Sequence, residues 1–221
     1  MTPSDLQAWL NAHGQNLTVD GKVGPASQAA IVAAFTNRNA AAVTDSQIAA
    51  YALRLGGSVK QLRAVAKVES GGSAFDNAGR PKILFERHIF HRLTDGRWDG
   101  ASFSNASAGG YDESSWSKLT QASAKDPDAA FQSASWGKFQ VMGANWHALD
   151  YPSPIDMAYS TVRDEAGSYE MLARFIAANG LSDELRALSP VAAACRPFAL
   201  KYNGPNEAKN NYAGKLAAAM A

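Results

Sequence analysis

One carboxylate, Glu69, has the sequence surroundings expected of a catalytic acid. Three apolar residues share its helix face at i, i+3, i+4 and i+7 spacing: Leu62, Val65 and Ala66. Glu69 also stands in the last helical turn, directly before the Ser-Gly-Gly sequence at 70–72. Burial and the negative end of the helix dipole both disfavour an ionised carboxylate, so the sequence predicts a raised pKa and a general acid. The alternative is a helix-ending Glu that turns outward or pairs with Lys67 or Arg63.

Two other segments place polar groups where a binding pocket needs them. SASWGKFQVMG, residues 133–143, is an apolar run that carries one uncharged amide, Gln140, between two glycines. This pattern predicts a hydrogen-bonding group that lines a pocket, and its alternative is a turn with a satisfied buried glutamine. KYNGP, residues 201–205, ends a helix with Tyr, Asn and a Gly-Pro break, which also fits ordinary C-capping.

The remaining reactive side chains give weaker patterns. Glu86, in the segment LFERH, is either a second active-site carboxylate or a structural partner of Arg87 or Arg80. His88 and His91 share a helix face at i, i+3, but the chain has neither an HExxH nor a CxxC motif. We therefore expect no metal and no cofactor.

Two capped helices must position Glu69. Capping boxes open them at Thr44-x-x-Gln47 and Ser58-x-x-Gln61. Gly56 should end the first helix, and Gly71 with Gly72 should end the second, which carries Glu69. These caps orient the carboxylate towards whatever the following loop encloses.

The rest of the chain also predicts a mainly α fold, because period-2 strand patterns are scarce. The stretch 77–128 is rich in Gly, Ser, Asn and Asp, and long irregular segments inside compact domains tend to be functional. Further helices are expected in four places: a long one over 157–180 with Gly180 as its C-cap, a short one from Ser182, one around 191–202 and one around 206–221.

The first forty residues look like a separate small unit. Ser4 should cap its first helix, and Asp20-Gly21 and Gly24-Pro25 mark tight turns before a second one. An alanine-rich stretch at 37–42 reads as a linker.

Composition excludes several classes of protein. The 221 residues are 46% hydrophobic and 19% charged, which is typical of a globular chain rather than a disordered one. A formal net charge of +1 provides no strong field for nucleic acid. No apolar run approaches the roughly 20 residues that cross a bilayer. The single cysteine, Cys195, lies in an apolar run and is expected to be a buried core residue.

The motifs together support a resemblance. The order Glu-Ser at 69–70, Gly-x-x-Gln-x-Met at 137–142 and Tyr-Asn-Gly at 202–204 resembles the lysozyme-like superfamily of goose-type lysozymes and lytic transglycosylases. More closely, residues 46–221 resemble the N-acetylmuramidase domain of modular phage endolysins. The segments that carry this likeness are ESGGSAFDNAGRPKILFERHIFHRLT, SASWGKFQVMG and FALKYNGP. The resemblance implies a lysozyme-like helical catalytic domain.

The N-terminal unit resembles a different module. VDGKVGPASQAAI is similar to the VDG-x-x-G-x-x-T-x-x-A pattern of small three-helix peptidoglycan-binding domains, with Ser27 in place of the usual Thr. The resemblance assigns residues 1–40 to peptidoglycan binding. The alternative is a small helical hairpin docked on the main domain.

The resemblance also implies a reaction. A glycosidase of this family cleaves the β-1,4 bond between N-acetylmuramic acid and N-acetylglucosamine, and Glu69 would protonate the leaving oxygen. Hydrolysis needs an activated water, and a second carboxylate would stand roughly 6.5–9.5 Å from the acid in an inverting enzyme or roughly 5–5.5 Å in a retaining one. The nearest candidates along the chain are Asp76 and Glu86, and the polar middle adds Asp95, Asp112 and Glu113.

Substrate-binding residues follow from the same likeness. Ser135, Gln140 and Asn203 are expected to bind the sugar, the two amides through its N-acetyl groups. Trp136 and Tyr202 are expected to stack on sugar faces. Trp146 and Tyr111 are also aromatic candidates, but we assign them to the core.

Three functions stay open at this level. The leading one is a peptidoglycan hydrolase, a monomeric bacteriophage lysis enzyme that degrades the bacterial cell wall. We expect synthesis in the host cytoplasm, because the N-terminus has no secretory signal, and release to the wall through a membrane hole made by a separate holin-type protein. The alternatives are a lytic transglycosylase, in which the muramoyl 6-hydroxyl attacks internally, and a non-catalytic wall-binding protein.

Overall fold

The computed structural model describes residues 1–70, 72–204 and 207–221. Most of these residues are helical, which confirms the predicted mainly α, lysozyme-like class. The helices are α1 (Pro3–Ala12), α2 (Pro25–Ala34), α3 (Asp45–Arg54), α4 (Val59–Glu69), α5 (Arg87–Leu93), α6 (Ser115–Ser123), α7 (Pro127–Gln132), α8 (Pro154–Tyr159), α9 (Glu165–Ala178), α10 (Ser182–Arg186), α11 (Ala192–Asn203), α12 (Glu207–Asn210) and α13 (Tyr212–Met220). None of the helices in the described part of the chain has the length and apolar character needed to cross a membrane.

Local capping signals position α3 and α4 as predicted. The Thr44 and Ser58 hydroxyls each accept from the backbone N–H three residues on, and both capping boxes are complete. Gly56 takes a left-handed φ of 70° just after α3, which is the C-terminal conformation that glycine adopts without strain. The predicted helix breakers Gly71 and Pro205 lie outside the described residues.

A small antiparallel sheet contributes residues of its first strand and of its second turn to the lining of one groove. Its strands are β1 (Ile83–Phe85), β2 (Ala134–Trp136) and β3 (Val141–Met142), in that order across the sheet. Leu84 pairs with Ser135, and Ser135 pairs in turn with Met142. The turn between β2 and β3 therefore carries the Gly-x-x-Gln motif at a fixed position beside β1.

The N-terminal unit differs from its predicted form. Residues 1–40, all of which are described, contain two helices rather than three. Thr2, not Ser4, caps α1, because a complete capping box joins Thr2 to Asp5.

This N-terminal hairpin shares its core with the rest of the chain. Phe35 is fully buried, and its ring centroid lies 5.6 Å from those of Phe131 and Trp136. The segment predicted as a linker is fastened down, since the Asn37 side chain donates to the Arg163 carbonyl at 2.8 Å. Trp9 adds a hydrogen bond to Asp156 at 3.0 Å. The hairpin is thus docked on the main body through a common hydrophobic cluster.

The long helix predicted over 157–180 is wrong, because the chain breaks it into α8 and α9. Asp164 accepts a hydrogen bond from the Gly167 N–H and so starts a new helix. Gly167 packs against the preceding turn so closely that a Cβ would lie 1.9 Å from the Ser160 oxygen. The predicted C-terminal helix is likewise divided into α12 and α13 at Asn211, which has a φ of 52°.

Helices α4, α11 and α13 pack together and bring the far end of the sequence to Glu69. Cys195 on α11 is fully buried, as predicted, and its thiol contacts the Ser189 carbonyl at 3.2 Å. The end of α11 carries Tyr202 and Asn203.

Candidate active site

Glu69 is the last residue of α4 and is partly buried on the apolar face of that helix. Asn203, at the end of α11, donates from Nδ2 to Glu69 Oε1 at 3.0 Å. The alternative pairing with Arg63 does not form, since the Arg63 guanidinium contacts Asp45 at 2.5 Å. The structure therefore joins two of the predicted site residues, which lie 134 positions apart in the chain.

Burial raises the pKa of Glu69 above its ordinary value. The hydrogen bond from Asn203 and the charge of Lys215 work in the opposite direction but do not cancel the effect of burial. A carboxyl group in this state keeps its proton to higher pH than an exposed glutamate, which suits a general acid.

Tyr202 lies beside this pair. Its ring stacks on Phe198, with centroids 5.6 Å apart, and meets Phe175 edge-on at 5.3 Å. Burial and the nearby Glu69 carboxylate raise the pKa of Tyr202 far above its usual range, so the phenol stays neutral. The residue as a whole is only partly exposed, because its ring packs against the core.

A groove of about 540 Å³ adjoins the loop that follows Glu69. Its lining includes Ser73 and Asp76 from that loop, and Gly137, Lys138 and Gln140 from the turn between β2 and β3. Residues of β1 and of the polar middle segment complete it: Lys82, Ile83, Leu84, Tyr111, Glu113, Ser115 and Trp116. Two of the motifs found in the sequence thus meet across one groove.

Gln140 fixes the shape of the turn on which it lies. Its Nε2 donates to the Gly137 carbonyl at 2.8 Å and to the Lys82 carbonyl at 3.2 Å, and its Oε1 accepts from Ser135 Oγ at 2.7 Å. Both amide hydrogens therefore serve the protein backbone, and a donor role towards N-acetyl groups does not fit this geometry. Ser135 is nearly buried and supports Gln140 rather than facing the groove.

The expectation that Trp136 stacks on a sugar is wrong. Trp136 is fully buried, and its indole N–H donates to the Phe131 carbonyl at 3.1 Å. Its ring lies parallel to that of Phe131 with centroids 5.6 Å apart, in the core that Phe35 completes. Strand β2 is buried on both faces, so neither side of it can offer an aromatic ring to solvent.

Asp76 holds its own turn together. Its carboxylate accepts from the backbone N–H groups of Ala78 and Arg80 at 2.9 Å each and from the Arg80 guanidinium at 2.7 and 2.8 Å. Burial tends to raise the pKa of Asp76, but the hydrogen bonds from Arg80 and Ala78 outweigh it and hold the pKa below its usual value. A weakly basic carboxylate with four donors is poorly suited to activating water.

Glu86 and the two histidines of its helix also have neighbouring polar groups. Glu86 accepts from the Tyr111 hydroxyl at 2.8 Å, and His88 Nδ1 lies 3.2 Å from the same oxygen. His91 pairs with Asp99 at 2.8 Å. Within the described residues, no cluster of three His, Cys, Asp or Glu side chains is arranged to hold a metal.

Sequence reasoning missed one residue and misplaced another. Lys138 bridges the Gly72 carbonyl at 2.9 Å and Glu165 at 2.8 Å, and so ties the loop after Glu69 to α9. The sequence feature that could have indicated this role is the position of Lys138 as the single cation inside the apolar motif at 133–143. Tyr111, which we assigned to the core, is 52% exposed on the groove wall. Trp146 is partly buried against the core, as expected.

Comparison with known proteins gives two matches. The family model described as "Muramidase: N-acetylmuramidase" matches residues 58–221. The fold is similar to the crystal structure of the Burkholderia AP3 phage endolysin, with a TM-score of 0.73 and 31% sequence identity over 98% of this chain and 93% of that one. A search of the curated proteins found no match.

Proposed function

This chain belongs to the N-acetylmuramidase family of peptidoglycan hydrolases, and from that premise we propose that Glu69 is the general acid that cleaves its glycosidic bond. The bond is the β-1,4 linkage between N-acetylmuramic acid and N-acetylglucosamine. The observation that carries this proposal is a half-buried carboxyl group with a raised pKa, held by Asn203 at the start of the loop whose residues Ser73 and Asp76 line a groove of about 540 Å³.

The surroundings of Glu69 suit both states that an acid passes through. Before reaction, burial favours the protonated form, which donates to the leaving oxygen as positive charge develops on the sugar ring. After proton transfer, the Asn203 N–H and the positive charge of Lys215 stabilise the carboxylate. Tyr202 remains a neutral phenol throughout and adds no competing charge.

The second half of the reaction has two candidate forms. Hydrolysis by a second carboxylate needs a base near the cleaved bond, and the two nearest candidates along the chain are both engaged. Asp76 is held by Arg80 and Ala78, and Glu86 accepts from Tyr111. This observation favours either a water oriented by polar groups or the lytic transglycosylase route, in which the substrate's own 6-hydroxyl attacks.

Digestion of purified cell wall tests the acid and separates the two routes. Replacing Glu69 with Gln should lower kcat by about 10²–10⁴-fold, the usual contribution of general acid catalysis. Asp183→Asn is the matched control, because it neutralises a carboxylate that is 81% exposed on α10. Full activity in Glu69→Gln would sink the assignment of the acid.

Mass spectrometry of the released fragments identifies the chemistry. Hydrolysis leaves reducing ends, whereas transglycosylation leaves 1,6-anhydromuramic products that are lighter by one water. Absence of any soluble fragment from the wild-type protein, together with retention on the wall, would instead support the non-catalytic alternative.

We also propose that the N-terminal hairpin contacts the wall. A groove of about 430 Å³ lies along the loop and α2 residues of the VDG-x-x-G motif, with Thr18, Asp20 and Lys22 on its lining. The test uses the Glu69→Gln variant, so that binding is measured without cleavage. Thr18→Ala with Lys22→Ala should then weaken sedimentation with insoluble peptidoglycan, and unchanged sedimentation would contradict this role.

The proposal includes the route to the substrate. Such an enzyme would be made in the host cytoplasm and reach the wall after a holin-type protein opens the membrane. Expression with and without a co-expressed holin, with lysis followed by turbidity, tests this part. Lysis at the same rate without the holin would contradict it.

A further inference from the structure

Tyr111 is an exposed aromatic ring on the groove wall with an anchored hydroxyl group. It is 52% exposed, and its hydroxyl donates to Glu86 Oε2 at 2.8 Å. The Glu86 side chain is only 16% exposed, and its backbone N–H donates to the Ser133 carbonyl at 2.8 Å. The acceptor is therefore fixed between β1 and α5, while the ring that it holds faces solvent.

The loop that carries Tyr111 is itself held by two cations. The Arg87 guanidinium donates to the carbonyls of Ser107 at 2.9 Å and Ala108 at 3.2 Å. Lys118, which is 2% exposed, donates to the Gly110 carbonyl. Burying an ammonium group is costly unless it is hydrogen-bonded, so the position of this loop carbonyl is strongly specified.

Glycine at position 110 belongs to the same arrangement. Its φ of 69° lies in the left-handed region, and a Cβ there would approach the Lys118 ammonium at 3.0 Å and the Arg87 guanidinium at 3.2 Å. The backbone beside Tyr111 is thus shaped to admit both cations. An exposed ring at the end of such a braced loop is pre-organised rather than incidental.

We propose that Tyr111 is a substrate-contacting residue of the groove, and that Glu86 is the positioning residue that aims its ring. The ring offers a flat apolar face to the C–H groups of a sugar. Because its hydroxyl hydrogen is directed to Glu86, the oxygen offers only acceptor capacity to a sugar hydroxyl or amide N–H. This assignment rests on the proposed glycosidase function and removes Glu86 from the candidates for a second catalytic carboxylate.

The assignment agrees with the ionisation of the phenol. The hydrogen bond to Glu86, with some burial and the Glu86 charge, raises the pKa of Tyr111 above its usual value. The hydroxyl therefore keeps its proton and the bond to Glu86 throughout the working pH range. Glu113 also lines the groove, 3.7 Å from the Lys118 ammonium.

Steady-state kinetics on solubilised peptidoglycan separate positioning from catalysis. Tyr111→Ala should raise KM by about tenfold, the effect of losing one well-placed aromatic contact, while kcat stays within about twofold. Tyr111→Phe and Glu86→Ala should each raise KM by roughly three- to tenfold, because each removes one hydrogen bond. The double variant Glu86→Ala/Tyr111→Phe should be no worse than either single variant, since both changes break the same interaction.

Conservative replacement and a matched control sharpen the test. Glu86→Gln retains an acceptor oxygen, so its rise in KM should be smaller than that of Glu86→Ala. Tyr51→Phe is the control, because the Tyr51 hydroxyl donates to the Ala166 carbonyl away from this groove. A loss of kcat of a hundredfold or more in Glu86→Gln would overturn the proposal and make Glu86 a catalytic carboxylate. An unchanged KM in Tyr111→Ala would overturn it as well.

A binding measurement keeps this inference separate from the proposed reaction. Titration of the Glu69→Gln protein with tri-N-acetylchitotriose measures affinity without cleavage, and adding Tyr111→Ala should weaken binding by about tenfold. Circular dichroism confirms that each variant is folded before it is compared. Equal affinities in the two folded proteins would refute a contact at Tyr111, whereas an inactive wild-type enzyme that still binds through Tyr111 would refute only the proposed reaction.

Discussion

Replacing Lys138 with Met should destabilise the protein far more than removing an exposed ion pair. Lys138 and Glu165 are each only 17% exposed, and their charged atoms lie 2.8 Å apart. Methionine has about the volume of the lysine stem but no charge. The Glu165 carboxylate then keeps one described partner, the Val43 N–H, which donates to it at 3.0 Å. The Gly72 carbonyl also loses its donor.

The magnitude follows from the degree of burial. Breaking a fully buried pair costs about 3–5 kcal/mol, and an exposed pair contributes about 0–1 kcal/mol. At 17% exposure on both sides, we expect a loss of about 2–3 kcal/mol in the free energy of unfolding. For a chain of this size, each kcal/mol shifts Tm by about 2–4 °C, so the expected fall is about 4–12 °C.

Differential scanning calorimetry at pH 7 and a fixed scan rate measures this fall. Arg63→Met is the control, because the Arg63–Asp45 pair has 49% and 88% exposed side chains and should cost less than about 4 °C. Adding Glu165→Gln to Lys138→Met should recover part of the loss, because it removes the uncompensated charge. The reasoning fails if Lys138→Met lowers Tm no more than Arg63→Met does, or if the two changes at 138 and 165 are simply additive.

Three further predictions concern charge and packing. Asp76→Asn should lower stability to urea at pH 7, and the deficit should shrink as pH falls below about 3.9. The reason is that a depressed folded-state pKa contributes stability that is fully present above the unfolded pKa and is lost as pH falls through the folded one. A deficit independent of pH would contradict this. Glu69→Gln should be more stable than the wild type at pH 7 and equal to it below about pH 4.3, because a raised folded-state pKa means that ionisation opposes folding. Urea titrations at the two pH values measure the difference in free energy of unfolding between the two proteins. The same difference at both pH values would contradict this prediction. Phe35→Ala should cost about 3–5 kcal/mol and keep a single unfolding transition, because its ring belongs to the common core; two separate calorimetric transitions would disprove the shared core.

Local signals in the sequence predicted the elements that carry Glu69. The capping boxes at Thr44 and Ser58 need only residues three positions apart, so they can be recognised without knowing the tertiary structure. The direction of the Glu69 pKa shift was also accessible, because helical spacing places the carboxylate on the buried face. The bond from Asn203 depends on how α4 and α11 both pack against α13, which no local pattern specifies.

The aromatic residues show where pattern reasoning ends. Trp136 was predicted to face the sugar and Tyr111 to lie in the core, and the structure shows the opposite exposure for both rings. The exposure of a ring depends on which surfaces other elements cover, and local sequence does not specify this. Trp136 is covered by Phe35 from the N-terminal hairpin, a contact across about a hundred residues of chain. The break between α8 and α9 was not predicted, because the apolar periodicity continues through it. The N-cap residue Asp164, which starts α9, marks the break.

The core shared by the N-terminal hairpin and the main body also limits how such an enzyme can evolve. Recombination between lysins that exchanged residues 1–40 as a cassette would bring a foreign side chain against Phe131 and Trp136 in place of Phe35. A successful exchange would have to carry matching changes in both partners of that contact. We therefore expect the hairpin and the main body to be inherited together, and we expect sequence changes to be tolerated more readily on the exposed loop at 16–20 than by replacement of the whole unit.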